Sequence, residues 1–417
     1  MKVIAGATLV DGTGSPPVAD AAVLVNDDGR IEAVGRRMEV AAPPDAEVIE
    51  AAGMTLLPGL IDCHDHLSSF TYDLMGRWGF AEPRSLRHLR IARVMEETLL
   101  TGYTTVRDCG WLDVGFKLAV EEGLIAGPRL LVATSPISPS HGNAARVSES
   151  GHRPPISPDP LLPPGLADGV DQVRAKVREV VRVGADVVKV FQTGWGRRTH
   201  GSKDVAYGWD ELDALVSEAH VQGKMVASHA VGGLGLRMSV EAGVDTIEHG
   251  SYLDEDPDLL KMMADMGTFF VPTFTVFIFH GSIGTPQAQI EARDFRQHHI
   301  DSVQKALAAG VKVVAGTDAG GWVHGNNAQE LQCLVEAGMT PMQALVAATG
   351  WAAEACGLGK EVGTVQPGKL ADLVIVDGDP LKDITILQEK SRIKLVMKEG
   401  KVYSNLLAAE KVAASRG

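Results

Sequence analysis

Leu57-Pro58-Gly59-Leu60-Ile61-Asp62-Cys63-His64-Asp65-His66 reads as a short apolar strand, Leu57 to Ile61, running directly into a His-x-His pair. Side chains two apart in extended chain share a face, so His64 and His66 point the same way and can converge on one cation. The bland alternative is a solvated loop pair. What decides between them is whether further ligands arrive at equivalent places in the fold.

Working outward from this strand, short β-branched runs alternate with helical periods between about residues 56 and 357. Eight runs stand out: Leu57–Ile61, Thr104–Asp108, Arg129–Thr134, Val187–Phe191, Met225–His229, Thr246–His249, Phe269–Thr273 and Lys312–Thr317. Between them, segments such as Leu86–Thr101, Val170–Val183, Asp210–Gln222 and Asp301–Ala309 carry apolar residues at helical spacing. This alternation predicts an α/β protein with a parallel sheet, and eight repeats over about 300 residues fit a (β/α)8 TIM barrel. An open doubly wound sheet is the competing architecture, but no GxGxxG follows the first strand to support it.

Both termini read differently. Ala22–Ala33 alternates around the turn Asn26-Asp27-Asp28-Gly29, and Ala371–Asp377, Ile393–Met397 and Gly400-Lys401-Val402 repeat a β pattern near the other end. We therefore expect residues 1–55 and 358–417 to meet as a small composite β-sandwich outside a barrel of residues 56–357. The Pro-rich stretch of residues 135–186, with Pro154-Pro155 and Pro163-Pro164-Gly165, is expected to be a lid over the barrel mouth.

The ends of the later strands supply the candidate ligands. Lys189 interrupts the apolar run Val187–Phe191, where a bare ammonium is costly to bury. His229, His249 and Asp318 each close a strand, on the face where barrel enzymes assemble their sites. Any one of them could be a core histidine or a helix cap; together with His64 and His66 they point to a metal centre.

Composition narrows the partner. The chain has 417 residues, 45% of them hydrophobic, and a formal charge of −14, which disfavours nucleic acid and anionic lipid and favours a small molecule. No stretch reaches the roughly 18 uncharged apolar residues needed to span a bilayer. Cys63, Cys109, Cys333 and Cys356 lack paired spacing, so a reducing, cytoplasmic setting is expected.

Leu57–His66 resembles the opening motif of the amidohydrolase superfamily, and Gly363-Thr364-Val365-Gln366-Pro367-Gly368-Lys369-Leu370-Ala371-Asp372-Leu373-Val374 resembles its returning sandwich strand. Ser228-His229-Ala230, Ile247-Glu248-His249-Gly250 and Gly316-Thr317-Asp318-Ala319 are similar to the prolidase-like, imidazolonepropionase-related branch. That branch includes Xaa-Pro dipeptidases, carboxypeptidases acting on N-acyl amino acids, ochratoxin-hydrolysing enzymes and phenylurea hydrolases. The resemblance implies two divalent cations, zinc first among the candidates. His64, His66 and Asp318 would hold one, His229 and His249 the other, and Lys189 would bridge them as an N-carboxylated lysine. It also implies a homo-oligomer, with an octamer as the size considered.

A cation pair lowers the pKa of a bridging water toward neutrality, so the expected reaction is attack of a metal-bridging hydroxide on an amide or peptide bond adjacent to a free carboxylate. Asp318 is expected to be general base and general acid. His141, in a Ser-His-Gly loop, is the candidate oxyanion donor. Tyr207, Arg197, Arg198 and Trp322 are candidates for binding the substrate. Phe70, Tyr72, Trp111, Trp195, Phe277 and Phe279 sit in the same loops, which favours an apolar acyl or aryl side. The competing readings are a xenobiotic amide, carbamate or phenylurea hydrolase and, in another class, a non-catalytic oligomeric scaffold.

Overall fold

The computed structural model describes residues 1–69, 82–145, 162–194, 201–283, 286–320 and 324–407. Both ends of the chain build one eight-stranded sheet, ordered β15-β14-β13-β5-β1-β2-β3 with β4 paired to β1. These strands are β1 (Lys2–Leu9), β2 (Val18–Val25), β3 (Ile31–Arg36), β4 (Glu47–Glu50), β5 (Thr55–Pro58), β13 (Leu373–Val376), β14 (Ile393–Lys398) and β15 (Lys401–Asn405). Side chains from both ends, among them Ile4, Val23, Leu56, Leu373 and Leu395, share one buried apolar cluster.

The middle of the chain is parallel. One sheet joins β6 (Leu60–Asp65), β7 (Tyr103–Asp108) and β8 (Arg129–Val132); a second joins β9 (Val187–Phe191), β10 (Met225–Ala230), β11 (Thr246–His249) and β12 (Phe269–Val271). Of the expected barrel two parallel sheets are seen, and the expected first strand is corrected. The described residues form no continuous closed ladder: the run Lys312–Thr317 is no ladder strand but bridges Phe270 at Val313 and exchanges backbone hydrogen bonds with Cys63 and His64, Asp65 bridges Ala319 just past it, and Ile137 bridges to Val190 between the two sheets. The predicted strand Leu57–Ile61 is two strands that part at Gly59. The Gly59 N–H donates to Asp372 in the terminal sheet, and the Leu60 N–H donates to Gly102 beside β7. A Cβ at residue 59 would overlap the Thr104 side chain, so the crossing point requires glycine.

The helices follow their apolar spacing. In α3 (Val170–Arg182), counted after α1 (Arg84–Leu100) and α2 (Val114–Glu121), Val173, Val177 and Val180 form the buried stripe. Asp171 and Arg182 sit at the ends where the helix dipole favours them. The proposed lid falls partly on residues 146–161, outside the described residues. At its described start Ser135, Ile137 and Ser138 are buried, and Ile137 pairs alongside β9.

Candidate metal centre

Backbone stitching brings the first and last candidates together. The carbonyl of His64 accepts from the N–H groups of Thr317 and Asp318 at 3.0 and 2.7 Å, and His66 donates its N–H to Ala319 at 2.9 Å. The Asp318 carboxylate is thereby set against both imidazoles, 3.2 Å from His66 Nε2 and 3.8 Å from His64 Nε2. Asp62 holds the same corner from below, accepting from the Thr317 hydroxyl and Asn327 Nδ2, both at 2.7 Å.

The other two histidines close on the same point. The His249 ring lies 5.0 Å from that of His64 and 4.5 Å from that of His229. His64, His249 and Asp318 offer ligand atoms all within 4.8 Å of one another. His249 and Asp318 have φ of 74° and 52°, and neighbouring Thr273 has 58°. Non-glycine residues pay strain for this conformation, and here it gathers at the strand ends that carry the candidates.

Lys189 is near enough to this group for its charge to act on His64, His229 and His249. It is 1% exposed, its Nζ is 5.9 Å from the centroid of the Phe191 ring, and it has no hydrogen-bond partner among the described residues. Phe191 in turn lies 5.1 Å from the His229 ring.

Sequence reasoning passed over the partner that orients His64. Glu248 Oε2 sits 2.7 Å from His64 Nδ1, which turns Nε2 toward Asp318 and the centre. Alternation would put Glu248 and His249 on opposite faces of β11. The left-handed turn at His249 breaks that rule and lets both serve one site. Glu248 is buried beside Arg107, whose Nη2 donates to Glu248 Oε1 at 2.7 Å. Burial pushes the Glu248 carboxyl up, but Arg107 and His64 more than offset this and hold it down at about 2. Burial, reinforced by Lys189, lowers His64 to about 4 and His229 to about 3, and burial lowers His249 as well. All three are neutral imidazoles at pH 7, the form that ligates metals.

Removing one member of such a buried pair strands the other's charge. Arg107→Met is expected to cost about 3–5 kcal/mol in urea denaturation, with the Arg107→Met, Glu248→Met double variant recovering a large part. A single-variant loss under about 1 kcal/mol would mean that Glu248 does not depend on the arginine.

Among the remaining candidates, His141 is exposed on the loop after β8. Tyr207 is fully buried, and its hydroxyl donates to the Ala167 carbonyl at 3.0 Å. That bond uses the one proton of the hydroxyl. Arg197, Arg198 and Trp322, like Phe70, Tyr72 and Trp195, lie outside the described residues. Two of the predicted aromatics do border the centre: Trp111 lies 5.5 Å from His66 and Phe277 lies 6.2 Å from His249. The four cysteines are free and buried. No helix among the described residues is long and apolar enough to cross a membrane.

Strand ends that gather neutral imidazoles, a carboxylate and a buried lysine define a candidate metallohydrolase site, and comparison with known proteins supplies the class. The amidohydrolase family pattern matches residues 55–403. The ochratoxinase of Aspergillus niger is 30% identical over 97% of this chain and 86% of its own length. A crystal structure of an amidohydrolase superposes with a TM-score of 0.88 at 32% identity, covering 97% of this chain and 98% of that one. A Xaa-Pro dipeptidase with methionine bound in its active site gives 0.86 at 29% identity, covering 97% and 100%. The chain belongs to the amidohydrolase family, and with it to the hydrolases of carbon–nitrogen bonds. Binuclear metal centres are general in that family, and candidate ligands for one are present here.

Proposed function

We propose that the protein is a metal-dependent amidohydrolase that cleaves an amide or peptide bond next to a free carboxylate, on an N-acyl amino acid, a dipeptide or an ochratoxin-type aryl amide. The observation that carries this reading is Lys189, a buried lysine without a hydrogen-bond partner among the described residues, whose charge acts on the neutral histidines. Buried charge of this kind is expensive, and N-carboxylation would turn it into an oxygen ligand suited to a divalent pair.

The donor set fits two divalent cations, zinc first: His64, His66 and Asp318 for one, His229 and His249 for the other, with carboxylated Lys189 between them. Cations held there would polarise the scissile carbonyl and bring the pKa of water close to neutral. Asp318 takes the proton of the attacking water and returns it to the leaving nitrogen. Glu248 keeps His64 in the Nδ1–H tautomer, and His141 is the proposed donor to the developing oxyanion. Trp111 and Phe277 offer apolar surface for the acyl or aryl side. The substrate class also draws on the relatives, named as an ochratoxinase and a Xaa-Pro dipeptidase.

For the architecture, we propose that the two parallel sheets and the single bridges between them are one (β/α)8 barrel, with the terminal sheet folded over its shared cluster as a sandwich.

The test is metal analysis coupled to a hydrolysis screen of acyl-prolines, acyl-phenylalanines, ochratoxin-type amides and phenylureas. Expected are about two divalent ions per chain and release of a free amino acid that stops on chelation and returns with zinc. Turnover of phenylureas alone would move the reading to a urea hydrolase, and protein purified without metal or activity would favour a scaffold.

A further inference from the structure

Glu330 is a fully buried acid that the proposed chemistry does not use. It lies on the helix Gln329–Glu336, yet its contacts are to the start of another helix, Phe274–Ile283, which follows β12. Oε1 accepts from the N–H of Phe274 at 2.8 Å and Oε2 from the N–H of Thr275 at 2.9 Å. These two residues directly follow Thr273, whose hydroxyl lies 2.8 Å from His249 Nδ1.

The Thr275 hydroxyl makes the second connection. Its oxygen is 2.8 Å from the Thr317 carbonyl and 2.9 Å from Glu330 Oε2. A hydroxyl has one proton, and a carbonyl can only accept. If Thr275 donates to Thr317, its contact with Glu330 is a hydrogen bond only when the acid itself carries a proton. The surroundings agree: burial pushes Glu330 up to about 8, against the pull of its bonds to Phe274 and Thr275, and Asp62 adds to the rise.

We infer that Glu330 is a positioning residue which, as a neutral carboxylic acid, donates to the Thr275 hydroxyl and so fastens the Thr317 carbonyl, setting Asp318 and His249 relative to each other. The inference rests on the proposed metal centre, since it assigns Glu330 the task of joining the strand ends that carry two of its ligands. Those ends belong to β11 and to the run Lys312–Thr317, between which β12 lies, paired to β11 and bridged to the run at Phe270 and Val313, and each is held in a left-handed backbone turn. A tie between them keeps ligands from separate segments at a fixed spacing.

Thr275→Val removes the hydroxyl and leaves both N–H groups on Glu330; Thr275→Ser restores the hydroxyl. In the full-length protein, competition with a chromophoric chelator should show zinc affinity about tenfold weaker in Thr275→Val and within about twofold of wild type in Thr275→Ser. Turnover of a substrate found by the screen should follow the same order in kcat, with KM little changed. Equal affinity in all three proteins, or no rescue by serine, overturns the tie. Infrared difference spectra between wild type and Glu330→Gln test the proton independently of the Thr275 variants. A protonated-carboxyl C=O band at pH 7 that vanishes in the variant is expected, and a carboxylate band in its place overturns the inference. Wild-type protein that binds no zinc would instead strike the metal centre, whatever the infrared result.

Discussion

Asp318→Asn is expected to lower kcat about 10²–10⁴-fold, the range for loss of a general acid–base group, while the far-ultraviolet circular dichroism stays that of the wild type. Asparagine keeps the size of the side chain and an oxygen to place near His66 Nε2, now 3.2 Å from the carboxylate. It also tolerates positive φ better than most residues, so the turn at 52° adds no new strain. The N–H bond from residue 318 to the His64 carbonyl is a backbone contact and survives. What the amide cannot do is accept a proton from water and return it to nitrogen. A kcat near wild type in a folded variant would remove Asp318 from proton transfer.

Lys189→Met should separate stability from activity. Methionine is close in length and apolar, so it fills the space among the rings of Phe191 and His229 without bringing a charge. The metal-free variant is expected to be more stable than the metal-free parent by about 1–3 kcal/mol, the usual cost of a buried polar group without a partner. Its metal content should fall to at most about one ion per chain, and turnover should fall with it. Urea denaturation of chelated protein and elemental analysis read the two effects separately. Full metal content in the variant would take Lys189 out of the ligand set. A less stable apo variant would mean that the ammonium is compensated in the folded chain.

The candidates most legible in the text were those whose meaning is local. Two histidines two apart in extended chain, and a lysine in an otherwise apolar run, announce themselves by spacing or by a cost that must be met. Glu248 was not legible in this way. Beside His249 it should face away from the site, and only the backbone turn at 74° overrides the alternation. Arg107 is harder still, because its meaning depends on an acid 141 residues further along the chain. Tyr207 shows the converse: an apolar body with a polar tip reads the same for packing as for binding, and the sequence did not announce its bond to Ala167. In the fold, periodicity located runs of extended chain but could not assign their partners. Hence Leu57–Ile61 looked like one strand although its two halves hydrogen-bond into different sheets, and Lys312–Thr317 looked like a ladder strand although it pairs through an isolated bridge at Val313 and scattered backbone bonds.

The crossing at Gly59 sets a limit on how such a protein can be recombined. The last strand that the N-terminal part of the chain gives to the terminal sheet ends at Pro58, and the strand bearing His64 begins at Leu60. A chimera that exchanged the terminal sheet for that of a relative would have its seam one residue before the strand carrying the His-x-His pair. Any mismatch in the angle between the sheets would be transmitted to His64 along the strand that begins at Leu60, with no loop to absorb it. The terminal sheet and the first ligands are inherited as a unit, and a new specificity is more readily grafted through the loops at the far ends of the strands.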